Sequence, residues 1–307
     1  MHLLVKRRIL IRQHGRGTFV GSAVSGAPEG IRVQTVFVFI PEGHKEVAST
    51  PFEAMLDALR ARQPDVGVQF SFVPRGRDVE YVREVVRLAQ SGGQYAGAVP
   101  CACSREVYRL LDEVGGPLVV LGSLYPDQQH IPSLDFDYHQ AGFLLAHYLC
   151  GRGSKRLALI TTGAGRPGDG AFHDGVSDAL TKAALPPNAL VTRSFPQDVD
   201  AFRAMVREML ARPTRPTGII CGSERLLNLV ASVVSDMALD SEVELVFQGQ
   251  AGAPSVERSP YAHAQPTQPF AEIAAIAADM FASLAAGRTL AQHRVLVPLE
   301  LRLPQRE

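Results

Sequence analysis

Val33-Gln-Thr-Val-Phe-Val-Phe-Ile40 is a near-continuous run of β-branched and aromatic residues. A run with no polar face is what a parallel strand requires when helices cover both sides of its sheet. Outward from it the same punctuation repeats. Pro41, Gly43 and Pro51 interrupt the chain, and then Phe52, Met55, Leu56 and Leu59 recur at helical spacing, one apolar face of a helix begun by a proline. Gly67-Val-Gln-Phe-Ser-Phe-Val73 reads as a second strand. Val79, Val82, Val85, Val86 and Ala89 line a second helix, closed by Gly92-Gly93. Residues 96–99 and 117–121 add two strands around a helix carrying Val107, Leu110 and Leu111.

The pattern then restarts near Leu134–Asp137. A helix with Ala141, Leu144, Leu145, Tyr148 and Leu149 ends at Gly151. Strands at 156–160, 189–192, 216–221 and 242–247 follow, separated by helices marked by Val176 and Leu180, by Phe202 and Met209, and by Leu226 and Val230. A late helix (Ile273, Ile276, Ala277, Met280, Phe281, Leu284) has the apolar face to pack back on the first half. Strands alternating with helices predict an α/β protein of two doubly wound parallel-sheet lobes. Ligands of such lobes belong at the carboxyl ends of the strands, in the crevice between lobes.

The 307 residues contain no apolar window long enough to span a membrane and no apolar signal-type run at the start, which reads as a cytoplasmic protein. The four cysteines, Cys101, Cys103, Cys150 and Cys221, form no CxxC pair and no zinc-finger spacing, and are read as free thiols packed as small hydrophobes. Charge is uneven. Residues 1–28 hold Lys6, Arg7, Arg8, Arg12 and Arg16 and no acid before Glu29, so a +5 head sits on a −5 body although the chain totals 31 basic and 31 acidic residues. Charge alone fits either an anionic partner for the head or a solvated basic terminus.

Several strings carry a resemblance. Thr50-Pro-Phe52, Pro132-Ser-Leu-Asp-Phe-Asp137 with Ala141-Gly142, Pro216-Thr-Gly-Ile-Ile-Cys-Gly-Ser-Glu224, Ser259-Pro260, Gln268-Pro269 and Val295-Leu-Val-Pro-Leu-Glu-Leu-Arg302 stand in the order and spacing of the effector domain of LacI-type regulators. That domain is of the periplasmic-binding-protein-like type I fold. Leu10-Ile-Arg-Gln-His-Gly-Arg-Gly-Thr-Phe-Val20 resembles the β-wing that closes the winged helix-turn-helix of GntR-type regulators, and the pair together resembles the arabinose-repressor type. Independently, two short strands flanking His14-Gly-Arg-Gly17 make a hairpin whose glycines allow a tight turn.

The resemblance implies domains at 1–28 (remnant wing and linker) and 29–307 (effector domain). Within the latter, the first lobe takes about 33–135 and 268–288, and the second about 136–267 and 289–303. It also implies a homodimer, and a DNA contact through Arg12, Gln13, His14, Gly15, Arg16, Gly17 and Thr18. The three helices that read base edges would precede Met1, through a start assigned too late or a truncated gene.

For the effector pocket the resemblance implies Thr50, Phe52, Ser123, Asp137, Phe172, His173, Ser223, Glu224 and Gln250, around a small polar ligand such as a sugar. Asp137 is equally placed to cap a helix. Glu224 stands where an Asp is usual and equally suits a helix start. Phe172 replaces an expected arginine fork, and either stacks on a ring or anchors a packed loop. Gln250 replaces a further Asp. Gly163-Ala-Gly-Arg-Pro-Gly-Asp-Gly170 lacks the residues of a phosphate loop and reads as a flexible rim. No GxGxxG, HExxH or GxSxG motif is present, which leaves no cofactor, metal or hydrolase signature and no expectation of an enzyme. The expected function is an effector-responsive transcription regulator, a repressor, with a stand-alone sugar-binding protein as the alternative.

Overall fold

A computed structural model describes residues 10–13, 17–20, 34–42, 49–162, 167–196, 198–249, 256 and 258–304, with backbone alone for 10–13, 17–20 and 49–52. Two antiparallel strands, β1 (Leu10–Gln13) and β2 (Gly17–Val20), pair Leu10 with Val20 and Gln13 with Gly17, the hairpin expected around residues 14–16. His14, Gly15 and Arg16 themselves lie outside the described residues.

The chain divides into two compact units, residues 1–135 with 270–296 and residues 136–269 with 297–307. In the first unit, β3 (Thr35–Pro41), α1 (Ser49–Arg62), β4 (Gly67–Val73), α2 (Asp78–Ser91), β5 (Tyr95–Pro100), α3 (Arg105–Val114), β6 (Val120–Leu121) and β7 (Ser133–Phe136) follow in order. β3 lies between β4 and β5, parallel to both. Isolated parallel bridges, Ala98 to Leu118 and Cys101 to Leu121, connect that group to β6, which pairs with β7. Phe37 and Phe39 face α2 and α3 in a cluster with Val82, Val86, Val107 and Leu111, while Val36, Val38 and Ile40 are buried on the opposite face. Burial on both faces is the reason this strand carries no polar residue from Val36 to Ile40. The late helix α8 (Phe270–Ala285) packs against α1, where the Arg62 guanidinium donates to Asp279 at 2.8 Å.

The second unit contains α4 (Tyr138–Gly151), β8 (Leu157–Thr161), α5 (Pro167–Lys182), β9 (Leu190–Ser194), α6 (Val199–Ala211), β10 (Gly218–Cys221), α7 (Glu224–Asp236), β11 (Glu244–Gln248) and β12 (Ala262–Pro266). Its sheet runs β14-β12-β11-β10-β8-β9, parallel except for β14 (Leu299–Arg302), which is antiparallel to β12. Ala158, Ile160, Ile219, Cys221 and Phe247 face α6 and α7. Leu157, Leu159, Ile220 and Val246 face α4 and α5. This alternation is the pleat of each strand made visible in its packing.

Three features differ from the sequence expectation. α5 begins at Pro167, so Gly168, Asp169 and Gly170 form a helical first turn and not a flexible rim. Proline at a first helical position removes only an amide that would be unpaired there, and the glycines are carried by the packing that follows. β12, containing Pro266 and the buried His263, was not expected as a strand. β13 (Arg294–Val297) lies beside β7, where Ser133 N–H donates to the His293 carbonyl, so 289–296 fall in the first unit rather than the second.

α4 and α5 meet backbone to backbone. A Cβ on Gly142 would sit 2.1 Å from the Phe172 carbonyl oxygen, and one on Gly175 would sit 1.9 Å from that of His139. Neither obstacle is a flexible side-chain end, so the helices would have to separate. Gly175→Ala should cost roughly 3 kcal/mol. Gly151→Ala, at a helical glycine with no neighbour within 4 Å, should be neutral or stabilising by about 0.5–1 kcal/mol. Urea denaturation of the two variants checks both values.

Candidate functional site

In a doubly wound sheet the site is expected where successive connections leave a strand in opposite directions. In the second unit the chain passes from β8 to β9 on one side and then to β10 on the other, placing this point at the carboxyl ends of β8 and β10. The side chains there are polar. Thr161 Oγ1 and Ser194 Oγ are 3.2 Å apart, and the amide of Phe195 donates to the Thr161 carbonyl at 3.0 Å. Ser223 caps α7, its hydroxyl accepting from Leu226 N–H at 3.3 Å. Glu224, half-buried, opens that helix, and Gln248 ends β11 with its amide donating to the Gly249 carbonyl. Asp137 caps α4, Oδ1 accepting from Gln140 N–H at 2.9 Å. Among the described residues both caps leave hydrogen-bonding capacity unused: the second carboxylate oxygen of Asp137 and the hydroxyl proton of Ser223.

The other expected residues divide. Phe172 is 3% exposed within the core around Ala141, Leu145 and Val176. Of its two readings the packed anchor describes it, on a helix and not a loop, because its ring is enclosed by apolar side chains and presents no face to a ligand. His173, on the same helix, is half-exposed with Nδ1 3.8 Å from Asp174. Thr50 and Phe52 lie in the first turn of α1, and Gln250 lies outside the described residues. Arg12, Gln13, Gly17 and Thr18 belong to the hairpin strands, with Arg12 opposite Thr18.

The corresponding switch point of the first unit lies between β3 and β5. β5 runs into Cys101, Ala102 and Cys103, with Ala102 in the left-handed region at φ 49°. One strand further, Ser123 Oγ donates to Asp135, a carboxylate only 4% exposed. Asp135 was missed in the sequence because it alternates with apolar residues inside a strand pattern.

Burial raises the Cys101 thiol to about 12 and holds those of Cys103 and Cys221 well above the ordinary range. All three are therefore protonated at neutral pH, which fits packed thiols better than a nucleophile or metal ligand. Among the described residues no group of three or more His, Cys, Asp or Glu side chains could hold a metal ion. What the second unit's edge can do chemically is exchange hydrogen bonds with a polyhydroxylated ligand.

No family model matches the chain, and no curated protein matches it. Solved structures do. The transcription regulator CcpA of Lactococcus lactis superposes with a TM-score of 0.71 at 20% identity, over 88% of this chain and 98% of that one. The transcriptional regulator CelR in complex with cellobiose gives 0.71 at 19% identity, over 89% and 85%. GanP, a glucose-galactose binding protein from Geobacillus stearothermophilus, gives 0.68 at 16% identity, over 88% and 97%. At these identities the likeness is one of fold: the chain has the α/β, periplasmic-binding-protein-like architecture of LacI-family effector domains. No described helix is long and apolar enough to cross a membrane.

Two outcomes follow from the local chemistry. Ser223→Ala should destabilise by about 1 kcal/mol through loss of the cap, and Ser223→Gly by only a few tenths; chemical denaturation measures the difference. The raised thiol values act in the opposite pH range from acid denaturation. Below the unfolded thiol value of about 8.5 both states are protonated and the contribution is intact. Above it only the unfolded state ionises, so stability should fall by about 1.4 kcal/mol per pH unit for each buried thiol. Denaturation midpoints between pH 7 and 10 should decline above about 9, less steeply in Cys221→Ala.

Proposed function

We propose that the protein is a sugar-responsive, DNA-binding transcription regulator acting as a repressor. It binds a small polar ligand at the carboxyl ends of the second unit's strands and works as a homodimer on operator DNA. The observation that carries the reading is the combination of a basic N-terminal hairpin with the regulator-type effector fold. The hairpin's strands lie in a segment of five basic residues and no acid. In the wing reading, Arg12, Gln13, His14, Gly15, Arg16, Gly17 and Thr18 meet the phosphates or the minor groove. Binding through phosphates is salt-dependent and carries little sequence preference.

At the effector edge, Glu224 and the second carboxylate oxygen of Asp137 would accept from ligand hydroxyls, while Ser223, His173 and Gln250 supply further polar groups. Ser123, Thr50 and Phe52 belong to the first unit and are candidates for ligand contact there. The cellobiose complex of a protein of this fold supports a sugar as ligand class. A second reading, a sugar-binding protein without DNA-binding activity, is favoured by the comparable likeness to GanP.

Titration of the chain with duplex DNA at several salt concentrations separates the two. The regulator reading expects affinity falling with salt, with a slope reduced by about 2 in the Arg12→Ala, Arg16→Ala double variant. No DNA binding, together with a ligand-induced thermal shift, would favour the second reading. A saturating sugar at 100 times its Kd should stabilise the fold by about 2.7 kcal/mol, and Glu224→Ala should weaken binding at least tenfold, by about 1.4 kcal/mol.

A further inference from the structure

The second unit sorts its arginines. Arg152, Arg207, Arg212, Arg215 and Arg302 are paired with Glu244, Asp236, Glu208, Glu242 and Glu300. Arg225 is not. It is exposed in the first turn of α7, has no carboxylate partner among the described residues, and holds its guanidinium 5.2 Å from the centre of the Phe195 ring. On neighbouring α6, Arg203 has a buried Nε with no hydrogen-bond partner.

Topology gives the Arg225 contact its meaning. Arg225 follows β10 and Phe195 follows β9, while β8 lies between those two strands. The guanidinium therefore reaches across the carboxyl end of β8, the strand from which the sheet's connections diverge. Phe195 is itself fixed, its ring 5.1 Å from that of Phe202 and its amide on Thr161. An aromatic face orients a guanidinium without occupying its N–H donors, which stay available to an oxyanion.

We infer that this edge takes an anionic sugar, a sugar phosphate or a sugar acid, with Arg225 as the anion contact held over Phe195. The inference rests on the proposed reading of the edge as a sugar site and specifies the charge of its ligand. Glu224, one residue away, would meet hydroxyls while Arg225 meets the anion, a division that selects for a ligand carrying both.

Calorimetric titration of the full chain with galactose, galacturonate, glucose, glucose 6-phosphate and inorganic phosphate tests it. An acid or phosphate should bind about 10- to 100-fold more tightly than its neutral parent. Galacturonate and glucose 6-phosphate distinguish the carboxylate from the phosphate form. Arg225→Gln should collapse that ratio towards one, Arg225→Lys should retain part of it, and Arg207→Gln, whose arginine is already paired, should retain all of it. Equal or tighter binding of the neutral parents would overturn the inference and leave the sugar reading standing. Failure of every sugar to bind would overturn both. A ratio that survives Arg225→Gln would remove Arg225 from the role. Inorganic phosphate binding as tightly as the sugar phosphate would overturn the sugar as part of the ligand.

Discussion

A strand buried on both faces can offer chemistry only at its ends, and this constraint governs the protein. Val36, Val38, Ile40, Leu157, Ala158, Leu159, Ile160, Ile219 and Ile220 are all essentially inaccessible. An unpaired polar group at any of these positions would cost on the order of 1–3 kcal/mol, and β3 from Val36 to Ile40, β8 up to Thr161 and the interior of β10 carry none. Thr161, Ser194, Gln248 and Asp135 appear where the strands stop, and Ser104, Asp137, Asp198 and Ser223 where the next helices start. The helix caps and the candidate ligand contacts therefore occupy the same narrow band of the fold.

Capping and binding need not compete. Asp137 uses Oδ1 for the amide of Gln140, and Ser223 uses a lone pair for the amide of Leu226. Among the described residues the remaining oxygen of one and the hydroxyl proton of the other are uncommitted, and the cap bond fixes the rotamer that would present them. A side chain already held in place loses less entropy on meeting a ligand than one that must be ordered by it. The choice posed by the sequence, cap or contact, is thus resolved in favour of a cap that retains the means to make a contact.

The strand–helix alternation was legible because burial on two faces writes itself as uninterrupted apolar runs; 67–73 is a strand with the expected limits, and 33–40 contains most of β3. β12 was not legible. Ala262-His-Ala-Gln-Pro266 is held by neighbours on both sides, β11 and β14, and its polar residues are satisfied locally, with His263 Nδ1 3.1 Å from the Tyr261 carbonyl. The start of α5 was hidden because glycine and proline are local breakers whose effect is overridden by the close crossing with α4. At the site, Ser223 and Glu224 could be found from strand–loop–helix punctuation. Arg225 could not, since its meaning depends on the order β10-β8-β9, which links residues thirty positions apart in sequence.

The same constraint explains how a fold can match regulators and a sugar-binding protein at 16–20% identity with TM-scores near 0.7. Apolar side chains of similar volume substitute for one another inside the layers with little cost to the backbone path. Rim residues carry almost none of the packing, so their chemistry can change while the strand ends stay where they are. Position 172 illustrates the division: the phenylalanine there contributes its ring to the core of α4 and α5. Arg225 on α7, by contrast, lies outside the core with its guanidinium over the Phe195 ring, where a change of side chain costs the packing little. Ligand chemistry in this architecture is therefore set by the identity of a few rim side chains, and the shared backbone fixes only where they stand.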